Sequence, residues 1–375
     1  MTTPAPMAQA RFVGLASPTA RRAGAGGHPC QGLYWTTGDA RPSVAVIATH
    51  YNVDFAEHYL APHLAARGVG FLGWNTRYRG AEDLFILEHA LIDIGVGVRW
   101  LKDEAGARAV VLLGNSGGGS LMAAYQGAAS GQRFWGDLGA RAGDALAQLT
   151  PADLYISLNA HPGRPEVLTA WMDPSVVDES DPTLTDPALD AFDPRNAPPY
   201  PQGFIDRYRA AQTARNQRIT DWAKAELSRL QAAGVPDRIF PLFRVWADLR
   251  FMDGAIDPSD RPSPGCYAGD PATANRGPLG IGRANTLKTW LSMWSLETSP
   301  CRGAERLAGV ATPSLVVQSL GDQGVFPSDA RAIFAALAAA DKSLELVPGA
   351  HYFEDLPAHR ERAADLLTDW IRARL

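Results

Sequence analysis

The apolar run VVLL at 110–113 passes directly into Gly114-Asn115-Ser116-Gly117-Gly118-Gly119-Ser120, and from there into LMAAY at 121–125. A flexible linker would not be bounded so closely by two apolar segments. A phosphate loop needs G-x-x-x-x-G-K-[ST] or G-x-G-x-x-G. No lysine follows Gly119, and Ser116 stands where the second glycine of the dinucleotide pattern would fall. The remaining reading is a buried strand turning sharply into a helix, with G-x-S-x-G at Gly114, Ser116 and Gly118. On so tight a turn the serine takes an unfavourable backbone conformation, and the residues two before and two after it approach each other. Glycine at both places removes the Cβ atoms that would collide. The serine hydroxyl is then exposed above a helix N-terminus, whose amides favour developing negative charge. Ser120 lies a turn inside the helix and reads as a packing or capping residue.

The rest of the chain supplies the context such a turn needs. VAVIAT (44–49), GVGFLGWN (68–75), AVVLLG (109–114) and DLYISLNA (153–160) are buried-strand runs, preceded by ARFVGL and GLYWTT. Between them lie YLAPHLAARG, with helical spacing and a glycine stop, and a strong helix at 85–106 carrying Leu87, Leu91, Ile94 and Val98 on one face. Strands alternating with helices predict an α/β fold, a mostly parallel sheet covered on both faces. The rhythm stops at about 163 and resumes at about 306, with PSLVVQSLGD and SLELVPGAHYF as strands and a closing amphipathic helix bearing Leu366, Leu367, Trp370 and Ile371. The expected organisation is a core of 1–162 and 306–375 with an insertion at 163–305.

Within the insertion, 173–201 and 253–280 are rich in Asp, Pro and Gly and read as long ordered loops. Helices are expected around 203–233, with Ile219, Trp222, Leu227 and Leu230 on one stripe, and at 286–297, with Leu287, Trp290, Leu291 and Trp294. Five of the ten tryptophans fall here: Trp171, Trp222, Trp246, Trp290 and Trp294. They form the core of a helical subdomain or, facing down, line an apolar pocket.

Of the 375 residues, 46% are hydrophobic and 20% charged, with a formal net charge of −5. With no basic run, nucleic-acid binding is not expected. The N-terminal MTTPAPMAQARFVG has no apolar core of a secretory signal, and no apolar run reaches membrane-spanning length. Cys30, Cys266 and Cys301 are scattered and show neither metal-like pairing nor a disulfide framework. The default expectation is a soluble cytoplasmic protein; oligomeric state is not readable.

A nucleophilic serine needs a base, and the base an orienting acid. Asp322 directly follows one late strand, in GDQGVFP, and His351 another, in GAHYFED. Both lie where a parallel sheet places its ligand crevice. The elbow GNSGG, the segment LGDQGVFP and the terminal PGAHYF, in the order Ser–Asp–His, resemble the α/β-hydrolase superfamily, as does a large insertion after the sixth strand. That resemblance implies Ser116 as nucleophile, His351 as general base and acid, Asp322 as its orienting carboxylate, and a mainly helical cap. The oxyanion hole would combine the Gly117 amide with one from THYNVDF after the strand 44–49. By position Asn52 supplies it, and Tyr51 competes, because the glycine usual after the histidine is absent. His50 reads as a hydrogen-bonding structural residue; His161, in NAHPG, reads as a loop or hinge residue. His50, Trp171, Trp246, Trp290 and Trp294 are the candidates for substrate contact.

Serine chemistry of this kind requires no metal or organic cofactor. The favoured reaction is hydrolysis of a carboxylic ester or lactone of a fairly apolar small molecule. Hydrolysis of a diketone C–C bond, a thioester or an amide would use the same triad. A non-catalytic binding module on this fold is the alternative from another class.

Overall fold

The computed structural model describes residues 7–19, 28–134 and 142–375; residues 1–6 of the stretch read for a leader lie outside them. Eight strands form one sheet in the order β1-β2-β4-β3-β5-β6-β9-β10. They are β1 (Ala8–Leu15), β2 (Cys30–Thr37), β3 (Val44–Ala48), β4 (Gly70–Asn75), β5 (Ala109–Asn115), β6 (Leu154–Leu158), β9 (Ser314–Ser319) and β10 (Lys342–Val347). From β4 to β10 every neighbour is parallel; β1 and β2 add an antiparallel edge.

The apolar strands form a sheet buried on both sides because alternate residues feed two separate cores. Val46, Val111, Leu113, Ile156, Leu315 and Val317 face α1 (Ala61–Ala66) and the terminal helix Pro357–Arg372. Ala45, Ile47, Val110, Leu112, Tyr155 and Val316 face α2 (Leu87–Asp103) and α3 (Gly118–Ala129). The expected α2 stripe of Leu87, Leu91, Ile94 and Val98 is wholly buried, each side chain stabilising by about 1.5–3 kcal/mol relative to exposure.

From β3 the chain moves to β4 on one side and then crosses back to β5 on the other. This reversal opens a crevice at the carboxyl ends of β3 and β5, where open α/β sheets hold ligands. The register brings the other ends level with it: Asn115 pairs with Leu158, Leu158 with Val317, and Ser319 with Val347.

The segment between β6 and β9 carries a 31-residue helix, Gln202–Ala232, and a small antiparallel pair, β7 (Ile239–Pro241) with β8 (Ala284–Thr286). The buried stripe of the long helix runs through Phe204, Tyr208, Gln212, Arg215, Ile219, Ala223, Leu227 and Leu230. Trp222, expected on that stripe, lies beside it and is 39% exposed. The helix expected at 286–297 is a single turn, Leu287–Thr289, continued by a π-helical turn, Trp290–Trp294. The widened turn ends where Asn216 donates to the Trp294 carbonyl at 2.9 Å and accepts from the Leu296 amide at 3.0 Å. The loop 173–201 runs through successive Asx turns, with Asp178, Asp181, Asp186, Asp190 and Asp193 each accepting from the amide two residues on. All three cysteines are buried and free. No helix among the described residues is long and apolar enough to cross a membrane.

Beneath the end of β5 lies His58, packed among Phe55, Tyr59 and Phe71. Its Nε2 lies 3.1 Å from Asn115 Oδ1, and its Nδ1 accepts from the Leu60 amide. Burial pushes this imidazole down to about pKa 3. Below its ordinary value of 6.5, the unfolded chain takes up a proton that the fold refuses until about pH 3. Stability is therefore lost as pH falls through that window, by about 1.4 kcal/mol per pH unit from this group. His58→Gln is expected to flatten the acid limb by that slope in urea unfolding at pH 7, 6 and 5. An unchanged slope would mean that His58 is protonated in the fold.

Candidate active site

Ser116 ends the straight run of β5 with φ +56°, a left-handed conformation for a residue bearing a side chain. Four backbone contacts hold it there. Its N–H is shared between the carbonyls of Leu158 and Asn159, both at 3.1 Å, and its carbonyl accepts from Gly119 at 3.1 Å and His161 at 3.0 Å. The tightness of the turn is paired differently from the expectation. A Cβ on Gly114 would meet the Cα of Gly119 at 2.6 Å, whereas one on Gly118 would meet the Thr49 carbonyl at 2.3 Å. Gly119 thus closes on Gly114, and Gly118 lets the elbow pass β3. Ser120 is buried, its hydroxyl 3.3 Å from that of Tyr51.

Asp322 and His351 reach the same edge from the loops after β9 and β10. His351 Nδ1 lies 2.6 Å from Asp322 Oδ2, while Oδ1 accepts from the amides of Gly324 and Val325. Those partners assign the proton to Nδ1 and leave Nε2 as the basic nitrogen. Nε2 is buried and has no hydrogen-bond partner among the described residues, so the link from His351 to Ser116 is open. The phenol of Tyr352 interacts with the Ser116 hydroxyl; burial pushes that phenol up to about pKa 12, with Ser116 acting the other way.

Two residues that the sequence reading did not single out complete the pair. Tyr267 comes from the segment between β6 and β9, on a tight turn closed by Cys266 and Gly269. Its hydroxyl donates to Asp322 Oδ1 at 2.7 Å and lies 2.8 Å from His351 Nδ1. Burial and the adjacent carboxylate push its pKa well up, so it remains a donor. Its ring lies on Gly324, where a Cβ would come within 2.2 Å of it. Asn159, at the end of β6, donates to the His351 carbonyl at 2.7 Å and accepts from the Ser319 amide at 2.7 Å. Its place near the end of the strand run 153–160 was visible in the sequence; nothing local in PSPGCYAGD marks Tyr267.

The residues expected to form an oxyanion hole converge on one imidazole. His50 Nε2 accepts from the Gly117 amide at 3.0 Å, and Nδ1 faces the amides of Asn52 and Val53, both at 3.1 Å. A neutral imidazole accepts at one nitrogen only, and burial, then Arg164, push the His50 pKa well below its usual value. One side of the ring therefore meets an amide N–H with an N–H of its own. The Tyr51 side chain packs inward, edge-on to Phe85.

The remaining expected residues divide. Trp171 stacks on Trp246 at 4.9 Å and stands edge-on to His161 at 5.5 Å, near Tyr267. His161 is buried, with its pKa pushed well down by burial and then by Arg164. Trp294, with Tyr51, Asn52, Leu279 and Met293, lines a cavity of about 440 Å³. Trp290 lies in the main core, its Nε1 donating to Thr220 at 3.1 Å, and is not brought to the site.

Asn159→Ala would strip partners from the buried His351 carbonyl and Ser319 amide. The expected cost is about 2–4 kcal/mol in denaturant unfolding; a loss under about 0.5 kcal/mol would show that Asn159 does not hold these loops.

No family model matches the chain, and neither does any curated protein. Among solved structures, the alpha/beta hydrolase GrgF from Penicillium sp. sh18 aligns over 98% of this chain and 99% of its own, at 12% identity and a TM-score of 0.53. DcsB, solved with a substrate analogue, aligns over 98% and 99%, at 12% identity and a TM-score of 0.52. Likeness at this identity speaks to architecture, and it agrees with the strand order, the reversal between β3 and β5 and the serine elbow at the crevice. The chain has the α/β-hydrolase fold, with an insertion after the sixth strand.

Proposed function

We propose that the protein is a serine hydrolase that cleaves a carboxylic ester or lactone of a small molecule through an acyl-enzyme on Ser116. The observation that carries this reading is Ser116 at φ +56° on the strand-to-helix elbow, with the His351–Asp322 pair brought to the same sheet edge. In the proposed reaction His351 Nε2 takes the Ser116 proton as Oγ attacks the carbonyl carbon. The imidazolium, held by Asp322, then gives that proton to the departing alcohol, and a water activated by His351 releases the acid. Negative charge on the tetrahedral oxygen would be met by the Gly117 amide and one from residues 51–52, once the His50 ring yields its place.

The segment 163–305 is assigned as a cap over the core formed by 1–162 and 306–375. It contributes Tyr267 and Trp171 beside the acid–base pair, and Trp294 to the cavity. A cavity of about 440 Å³ whose wall combines Tyr51, Leu279, Met293 and Trp294 with Glu82, Asp83 and Arg283 suits a small, partly apolar substrate.

The direct test is labelling by a fluorophosphonate probe with the modified residue located by mass spectrometry. Ser116 is expected to carry the label, and Ser116→Ala to lose both label and esterase activity while staying folded. Folded protein that resists the probe would sink the reading. Asp322→Asn is expected to lower kcat by roughly 10⁴-fold, the loss seen when an equivalent carboxylate is neutralised in a serine triad. Tyr267→Phe, which removes one hydrogen bond to a charged group, is expected to lower kcat about ten- to hundredfold. Wild-type kcat in Tyr267→Phe would show that the phenol is a spectator.

A further inference from the structure

We propose that Arg164 is a recognition site for a carboxylate, so that the substrate is an acyl compound carrying an anionic group close to the bond cleaved; this rests on the serine-hydrolase reading of Ser116. Arg164 opens the helix Arg164–Trp171 and is 2% exposed. Its Nη1 stands so close to the elbow that a Cβ on Gly117 would lie 2.4 Å from it. Four arginines are buried among the described residues, and the guanidinium groups of three of them find hydrogen-bond acceptors: Arg215 in Glu179, Arg261 in Ser259 and backbone carbonyls, and Arg306 in Glu305. Arg164 makes no side-chain hydrogen bond, and its Nε and Nη2 are sealed in without a partner.

Those two nitrogens form the edge of a guanidinium that matches a carboxylate with two parallel bonds. The same chain shows what this edge takes elsewhere. Nε and Nη2 grip the two oxygens of Glu179 from Arg215 at 2.8 and 2.6 Å, and those of Asp93 from Arg77 at 2.8 and 2.6 Å. Arg374 holds Asp341 in the same way at 2.8 and 2.7 Å. At Arg164 the same edge finds no acceptor among the described residues.

Burying an uncompensated cation is costly, and the two rings that flank this one return only part of that cost. The guanidinium carbon lies 5.0 Å from the Tyr51 ring centre and 4.8 Å from that of Trp294. Burial lowers the Arg164 pKa to about 10, so the group stays charged at neutral pH. Beside it His50 and His161 are held neutral. The guanidinium therefore brings one positive charge beside the elbow, which a single carboxylate balances and a phosphate dianion exceeds; Glu82, Asp83 and Arg283 also line the neighbouring cavity.

Position separates this role from stabilising the oxyanion. Nη1 is the nitrogen turned to Gly117, and the Nε–Nη2 edge lies on another side of the planar group. Tyr51 and Trp294, the rings that flank the guanidinium, also wall the 440 Å³ cavity. Seating a carboxylate moves one of those rings and displaces no charged partner.

The test compares 4-nitrophenyl butyrate with the mono-4-nitrophenyl ester of glutaric acid. Wild type is expected to favour the glutarate ester at least tenfold in kcat/KM, and Arg164→Met to cut that preference at least tenfold, with Arg164→Lys in between. A second measurement needs no variant: free glutarate should slow labelling of Ser116 by a neutral fluorophosphonate, and glutaramide should not. Equal treatment of the two esters by wild type, with no protection by glutarate, would overturn the proposal. So would an Arg164→Met enzyme that loses both esters in the same proportion, which would assign the charge to the oxyanion or the fold. In either case labelling and butyrate hydrolysis would leave the serine-hydrolase reading standing; absence of both would end the two readings together.

Discussion

A serine at φ +56° is held in a conformation that costs about 1–3 kcal/mol, and the active-site edge is arranged around keeping it there. The restraint comes from two neighbouring elements. Leu158 and Asn159, at the end of β6, share the Ser116 N–H, while Gly119 and His161 both donate to its carbonyl. Asn159 extends the same restraint sideways through its amide, reaching the His351 carbonyl in one direction and Ser319 in the other. The ends of β5, β6, β9 and β10 are thus tied into one edge, and Ser116 and His351 are presented by a common frame.

Electrostatics at this edge follow from exclusion of water. His50, His58 and His161 are all buried and all pushed toward the neutral form. His351 differs from them in having a carboxylate on its Nδ1 side. A carboxylate on Nδ1 fixes the tautomer and leaves Nε2 as the acceptor, the arrangement that the proposed general-base role of His351 calls for. The His50 ring, approached by amides at both nitrogens, occupies the place where those amides would be most useful. Exchanging it for a substrate oxygen, which can accept from both sides, removes the mismatch.

Much of this arrangement was legible in the sequence because it depends on short-range patterns. Continuous apolar runs marked the core strands, and Gly114, Ser116, Asp322 and His351 each sat immediately after one. What escaped depends on the path of the chain between β6 and β9. Tyr267 travels to Asp322 from a turn whose composition resembles any Pro- and Gly-rich loop. Arg164, next to Pro165, gave no sign that its partners would be missing. Helical periodicity placed Trp222 with Ile219 and Leu227, yet the buried stripe passes through Ala223 and leaves Trp222 partly exposed, edge-on to Phe240. Spacing along a helix orders its faces without saying which neighbour each face meets; this is why Trp294 reaches the cavity and Trp290 does not.

Tyr267 has a mechanical consequence. Its hydroxyl touches both members of the acid–base pair, yet it stands 55 residues upstream of Asp322 in a different part of the chain. Any outward swing of that turn breaks the contact to the carboxylate and the contact to the imidazole together. In the proposed reaction the brace on His351 would last only while that turn stays seated, so the position of residues 266–269 and the alignment of the imidazole are coupled.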